Sequence, residues 1–318
     1  MFSAFPRTRV LVIGDLILDE FIWGEVSRIS PEAPIPVVEV TSRSTMPGGA
    51  ANVVNNLCAL GARASIAGFT GTGQNGRTVR ALLEGEGADT SLLVASKALK
   101  TSVKTRVIAR KQHVVRFDDE TSLPRGDRMR SRLVTKLRSS RRRYDAIVLE
   151  DYGKGVLSQP LVDEVIAFAR HKDIPVIVDP KKEHPLNFTG AALVTPNREE
   201  AYVLAGLPPR AAVPPEKVAR QLSRKWGGAA VLLTLGPEGM CLVEKGHRPR
   251  HVPTRKLEVY DVAGAGDTVC AVMALGLANG TSLAEAAALA NAAAGVVVSK
   301  IGTGTVNREE LLSALEAG

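Results

Sequence analysis

The chain has 318 residues, of which 45% are hydrophobic and 23% charged, ordinary values that allow a full core and exclude a disordered or fibrous protein. Its 41 Lys and Arg against 33 Asp and Glu leave a net charge of +8, which suits anionic metabolites, an anionic surface or nucleic acid. Aromatic residues are only 4% and none interrupts the densest basic run, RSSRRR at 138–143, so no nucleic-acid partner is expected and that run reads as a solvated helix end.

Taken in chain order, VLVIG (10–14) is the first of several continuous apolar runs that predict parallel strands covered on both faces. Asp15 and Asp19 follow it, at the strand end where open α/β sheets bind ligands; carboxylates there can accept hydrogen bonds from sugar hydroxyls. Residues 16–45, with IPVVEV between prolines, have no helix between their strands and predict antiparallel strands of a small lid. Gly48, Gly49 and Asn52 open a helix over 49–60, either as a ligand-approach segment or simply as helix capping.

Next comes GFTGTGQNGRT (68–78). Gly71, Gly73 and Gly76 spell GxGxxG, and 71–78 spell a Walker A loop with Arg77 in place of lysine. Arg does not replace that compact lysine charge, and the acid expected after the following strand for a dinucleotide site is missing. A glycine turn feeding a helix over 75–86 is the expected reading. Residues 101–118 are strand-like and basic, and they join the lid. AIVLED (146–151), VIVD (176–179) and AVLLTLG (230–236) continue the strands, alternating with helices over 159–172 and 214–226. This alternation predicts a doubly wound, mostly parallel α/β sheet in one domain spanning 1–318, with the lid as an appendage.

DVAGAGDT (261–268) opens a closing helical block over 266–299, followed by a helix at 307–316. Gly264 and Gly266 let the chain bend and expose amides at a helix start, where phosphate is attracted. Asp267 in the first turn would repel a bound anion, yet it suits a base that takes a proton from an attacking hydroxyl. A glycine turn with an acidic cap explains the same residues equally well. The five histidines lack zinc spacing, GxSxG is absent, and the three cysteines form no CxxC pair. A reducing cytosol fits that cysteine usage, and no signal peptide or membrane span is expected.

Together, GGAANV (48–53) and DVAGAGDT (261–268) resemble the hallmark segments of the ribokinase-like (phosphofructokinase B type) carbohydrate kinases. SRISPEAPIPVVEV (27–40), EDYGKGVL (150–157), DPK (179–181), TPNREE (195–200) and NAAAGVVVSKIGTGTV (291–306) resemble, more narrowly, the D-glycero-D-manno-heptose 7-phosphate kinases. In many of those a nucleotidyltransferase domain follows, and this chain resembles the kinase half. Their usual DVTGAGD has Ala263 here in place of Thr.

The resemblance implies a three-layer ribokinase-like fold and transfer of phosphate from ATP, with Mg2+, to O1 of the heptose 7-phosphate in ADP-heptose and lipopolysaccharide-core synthesis. It implies Asp267 as base, with Gly264 and the amides of Ala265 and Gly266 as the anion hole. Asn197, Arg198, Glu199 and Glu200 would face ATP, with magnesium held through water near Glu200 rather than directly. Gly236, Gly239 and Asn291 would lie near the nucleotide; Asp15, Gly48, Gly49, Asn52 and Asp151 would face the sugar. Arg106, Arg116 and Lys154 are candidates for the substrate's phosphate. Apolar lid strands suggest a homodimer through the lid. The rival expectations are a kinase for fructose 6-phosphate or ribose, a silent sugar-phosphate sensor, and a dinucleotide-dependent oxidoreductase built on 71–76.

Overall fold

The computed structural model describes residues 2–110, 112–120, 127–254, 260–300, 302 and 304–316. A 3-10 turn (Phe2–Arg7) leads into β1 (Arg9–Gly14), β2 (Leu16–Ile29), β3 (Pro36–Gly49), α1 (Ala50–Ala59), β4 (Arg63–Gly71), α2 (Gln74–Gly85), β5 (Asp89–Ser96), β6 (Ser102–Ala109) and β7 (Gln112–Asp119). Then follow α3 (Asp127–Ser139), β8 (Ala146–Glu150), α4 (Gln159–Arg170), β9 (Val176–Asp179), β10 (Leu193–Val194), α5 (Arg198–Leu204), α6 (Pro215–Lys225) and β11 (Ala230–Thr234). The chain closes with β12 (Met240–Val243), β13 (Arg250–Val252), α7 (Ala265–Ala278), α8 (Leu283–Val298) and α9 (Arg308–Glu316).

Successive residues of a strand face opposite sides, so a run that is apolar at every position must be covered on both. In β1, Val10 and Val12 enter the core beneath α1, α7 and α8, while Leu11 and Ile13 enter a second core beneath α3, α4 and α6. Ala146 and Val148 of β8 divide from Ile147 and Leu149 in the same way. These two cores make the three layers. Burying each such Val, Leu or Ile contributes about 1.5–3 kcal/mol.

The main sheet has the order β13-β12-β11-β10-β9-β8-β1-β4-β5, parallel except for β12 and β13 at one edge. From β1 the chain winds outward through β4 and β5, then returns to β8 on the other side and winds outward again. The direction reverses between β1 and β8, which opens a crevice at their carboxyl ends. The second sheet has the order β3-β2-β6-β7.

That second sheet corrects one expectation. β2 pairs with β3, and β6 with β7, in antiparallel fashion, but β2 and β6 run parallel. The chain enters the main sheet through β4 and β5 before it returns, and such a crossover brings a strand back in the same direction. The expected single helical block over 266–299 is also two helices, α7 and α8. Asn279 and Gly280 end the first, and Ser282 with Glu285 forms a capping box that starts the second.

The Walker-like segment is a turn. Gly76 lies so close to the Gly71 carbonyl that a Cβ would overlap it, the Gly71 amide donates to the Thr101 hydroxyl (2.9 Å), and Arg77 donates back to the Thr72 carbonyl (2.7 Å). Gly71 and Gly76 serve close packing between β4, α2 and the segment leading to β6, whereas Gly73 meets nothing within 4 Å.

Candidate functional site

Asp267 sits in the first turn of α7 with 4% of its surface exposed. Gly264, in left-handed conformation at φ 80°, turns the chain into that helix. The Ala265 amide makes a long turn bond to the Val262 carbonyl (3.3 Å), and the Thr268 amide already reaches the Gly264 carbonyl. The amides of Gly266 and Asp267 therefore belong to the first-turn donors that no helix carbonyl satisfies. A Cβ at Gly266 would meet nothing within 4 Å, so glycine here leaves open space in front of those amides rather than relieving a clash.

Two donors hold the Asp267 carboxylate. Asn52, wholly buried in α1, donates through Nδ2 to Oδ2 at 2.6 Å, and the Tyr152 hydroxyl donates to Oδ1 at 2.9 Å. Asn56 donates to the Asn52 carbonyl, and Thr268 donates to Asn56 Oδ1 (3.0 Å), so α1 and α7 are joined by one polar chain. Burial pushes the Asp267 carboxyl up to about 6, against the pull of Asn52 and Tyr152. Burial raises the Tyr152 phenol further from its usual range, with the Asp267 charge adding to it, so the phenol stays a donor.

Asp15 directly follows β1 and is engaged by the loop after β8. Its Oδ2 accepts from the Tyr152 and Lys154 amides and its Oδ1 from the Val156 amide, each at 3.0 Å. Burial raises its carboxyl while those amides oppose the rise. Asp15 thus fixes the loop that delivers Tyr152 to Asp267. Asp151 is tied similarly, accepting from the Gly153 amide (2.8 Å) and lying 2.8 Å from His184 Nδ1. Gly49, at φ 59°, passes so near the Asp15 carbonyl that a Cβ would overlap it, and a Cβ on Gly48 would overlap the Asp19 carboxylate.

The expected nucleotide-facing residues gather at the ends of β10 and β11. Asn197 caps α5: its Oδ1 accepts from the Glu200 amide (2.9 Å), and Glu200 Oε2 accepts from the Asn197 amide (3.0 Å). The NxxE spacing is therefore a capping box, with Glu200 Oε1 left facing Lys181 at 3.9 Å. Arg198 pairs with Glu238 and Glu199 with Lys182 at the surface. Gly236 and Gly239, both with positive φ, form the tight turn after β11, beside Asn197 through a bridge to Thr234. Asn291 of α8 spends its amide on the 253–254 segment, donating to the Pro253 carbonyl (2.8 Å) and accepting from Thr254 (3.0 Å). It borders a mainly apolar cleft of about 390 Å³ with Val252, Ala292, Val296 and Leu315.

Beneath the crevice lies a set of acids that sequence reasoning missed. Glu150, fully buried, faces Asp179; with Cys270 they bring ligand atoms within 4.8 Å of one another. Burial and the neighbouring charges of Asp179 and Asp267 raise the Glu150 carboxyl well above its ordinary range, and burial raises Asp179 likewise. The two share a proton, or both ionise only with a cation between them. Their position as the last residues of AIVLE and VIVD was the one available signal: acids at adjacent strand ends meet.

The three cations expected to face the substrate's phosphate are all paired. Arg106 contacts Asp19 and lies over the Phe21 ring; Arg116 bonds Asp118 (3.1 Å); Lys154 contacts Glu120. Lys104, which sequence reasoning passed over, joins Asp118 (2.9 Å) and Glu120 (2.7 Å). Such half-exposed pairs contribute only about 0–1 kcal/mol, so an incoming phosphate can displace the carboxylates. The Arg106–Asp19 pair is more deeply buried and harder to open.

The pfkB family carbohydrate kinase pattern matches residues 7–310. The chain is 43% identical over 315 residues to the bifunctional protein HldE of Geobacter sulfurreducens, covering 99% of this chain and 64% of that one. It is 45% identical over 312 residues to the protein of the same name in Gluconobacter oxydans, covering 98% of this chain and 65% of the relative. The chain thus spans just under two thirds of the length of these relatives. Among solved structures, phosphofructokinase-2 from Escherichia coli in complex with substrates and products aligns with TM-score 0.78 at 22% identity, over 98% of this chain and 99% of that one. Ribokinase from Thermotoga maritima aligns with TM-score 0.71 at 21% identity, over 97% and 99%. The fold is ribokinase-like. The chain belongs to the pfkB family of carbohydrate kinases and is, by that membership, an ATP-dependent sugar kinase.

Proposed function

We propose that the chain transfers the γ-phosphoryl group of ATP to O1 of D-glycero-D-manno-heptose 7-phosphate in the cytoplasm, with Asp267 as the base. The observation that carries the reaction type is the Asp267 carboxylate, buried beside open first-turn amides and held from two sides by Asn52 and Tyr152. The choice of sugar rests on the resemblance of residues 27–40 and 150–157 to the heptose 7-phosphate kinases.

In this reading the O1–H proton passes to Asp267 as O1 bonds to phosphorus and the bond to the β-phosphate oxygen breaks, releasing ADP. The Gly266 and Asp267 amides donate to the phosphoryl oxygens, where charge gathers in the transition state. Asn52 and Tyr152 keep the carboxylate aimed at the acceptor, and a carboxylate has lone pairs left after two donors. The apolar cleft at Asn291 accepts the adenine. The oxygens of Glu150, Asp179 and Glu200 suit a hard divalent ion better than Cys270 does, and magnesium there, directly or through water, would supply neutralisation of phosphate charge. Lys104, Arg116 and Lys154 are placed on the lid side to exchange their carboxylates for the sugar's distal phosphate.

The exposed apolar residues of the second sheet, Ile29 (60%), Val40 (50%), Val115 (50%) and Phe117 (53%), support a homodimer in which two lids cover each other. Light scattering of Phe117→Asp should give half the mass of the parent protein; a parent that is itself monomeric at micromolar concentration would sink the dimer.

The base makes a signed prediction. Asp267 accepts a proton only when ionised, so kcat/KM should fall as pH drops through about 6. Asp267→Asn should lose about a hundredfold or more of kcat while ATP binding, measured by calorimetry, persists. Tyr152→Phe removes a donor that favours the ionised form, so its acidic limb should move to higher pH. A loss equal at every pH would reduce Tyr152 to packing.

Phosphate transfer should be assayed with heptose 7-phosphate, fructose 6-phosphate and an unphosphorylated heptose. Lys154→Ala and Arg116→Ala should each lower kcat/KM for the 7-phosphate roughly tenfold to a hundredfold, the worth of one charge-assisted hydrogen bond, and leave the unphosphorylated sugar nearly unchanged. Equal losses on both sugars would remove the lid as the phosphate reader, and a preference for fructose 6-phosphate would replace the heptose.

A further inference from the structure

The basic run at 141–143 packs against the opposite end of the sheet from Asp267. Arg9 is the first residue of β1, Arg63 the first of β4, and the two are direct partners in the parallel register. Arg141, Arg142 and Arg143 lie just before β8, the strand on the other flank of β1. All five guanidinium side chains are on exposed residues and line one cavity of about 590 Å³. One carboxylate, Asp89, borders the cavity, and it is paired with Arg142. Arg9, Arg63, Arg141 and Arg143 have no ion-pair partner among the described residues. Asp145 is nearby, but its carboxylate accepts from the Arg9 backbone amide (2.7 Å).

Like charges at directly paired positions oppose each other, so the register of Arg9 with Arg63 costs the sheet stability. Four further features of the cluster point the same way: its five arginines outnumber the two adjoining acids, Asp89 and Asp145, it is built partly on rigid strand starts, its arginines present planar forks that match phosphate oxygens, and it is concave. We propose that this cavity is a second anion site, distinct from the catalytic crevice, which takes a ligand carrying several phosphates. Six residues of β1 separate it from Asp15, about 20 Å of strand, so its ligand is not the one whose phosphate is transferred. Tyr144 also lines the cavity but is 8% exposed, so the arginines supply most of the accessible recognition surface and the phosphates are the part of the ligand they read. This inference does not rest on the identity of the sugar substrate.

Inorganic tripolyphosphate is the probe, titrated calorimetrically into the whole protein with the catalytic site saturated by a non-hydrolysable ATP analogue. Residual binding is expected, weakening steeply with added salt and falling roughly tenfold or more in Arg63→Gln/Arg143→Gln as paired guanidinium contacts are lost. Sugar kinase activity should stay at the parent level, and thermal stability without anion should hold or rise, because a repulsive pair has been relieved. Sedimentation with phosphatidylglycerol vesicles separates a lipid-borne phosphate from a soluble one; loss of either binding in the variant supports the site. Absence of both, or binding indifferent to the substitutions, overturns it. Should the strand-start substitution unfold the protein, Arg141→Gln/Arg143→Gln, confined to the irregular segment, makes the same test.

Discussion

The hydrogen bond from Asn52 to Asp267 is the contact on which the crevice depends. It joins residues 215 positions apart, one at the start of α1 and one at the start of α7. Each helix start is itself set by a glycine with positive φ, Gly49 and Gly264. Burial would normally drive a carboxyl at such a place to hold its proton; Asn52 and Tyr152 return enough stabilisation to leave Asp267 near 6. Tyr152 in turn is positioned by Asp15, whose carboxylate accepts three backbone amides of the same loop. Two buried acids therefore have different duties: Asp15 shapes the loop and Asp267 remains accessible to chemistry at its remaining lone pairs.

The capping box at Asn197 shows how one residue pattern satisfies two demands. An N-cap Asn with Glu three positions later closes the helix start, and closing it fixes Glu200 with one oxygen toward Lys181 and the acids below. The structural and functional explanations of NxxE are thus compatible. The cap determines where the free oxygen points, and the neighbouring carboxyls determine what it can hold.

Much of the layered sheet was legible because strands buried on both faces must be apolar through their interiors, and β1, β8, β9 and β11 are, with polar residues only at their ends. β4 was harder: RASIAGFTG is built of small residues and a glycine turn and carries no such run. β10 is two residues long and gives no period at all. The direction of β6 against β2 depends on the whole intervening path, which no local pattern encodes. In the crevice, Gly49, Gly264, Asp15 and Asp267 were readable by type, whereas the strand-end acids Glu150 and Asp179 were not. Tyr152 was not, since a tyrosine after a strand reads as packing until its hydroxyl is seen 2.9 Å from a carboxylate.

The overall charge of +8 conceals a strong polarity along the strands. Asp15, Glu150, Asp151, Asp179 and Asp267 collect at the carboxyl ends, whereas the unpaired arginines collect at the amino ends. An acid-rich crevice repels a free polyanion, so a phosphate donor enters it favourably only with its charge offset by a cation or by the lid. The carboxyls that face one another must likewise share a proton or a cation. A crevice of this sign therefore couples occupancy by anionic reactants to neutralisation, and in the proposed reading positive charge in the acid cluster would also favour the ionised form of Asp267. The arginine end has the opposite excess: Asp89 and Asp145 offset part of it, and the remaining positive charge favours an anion from outside.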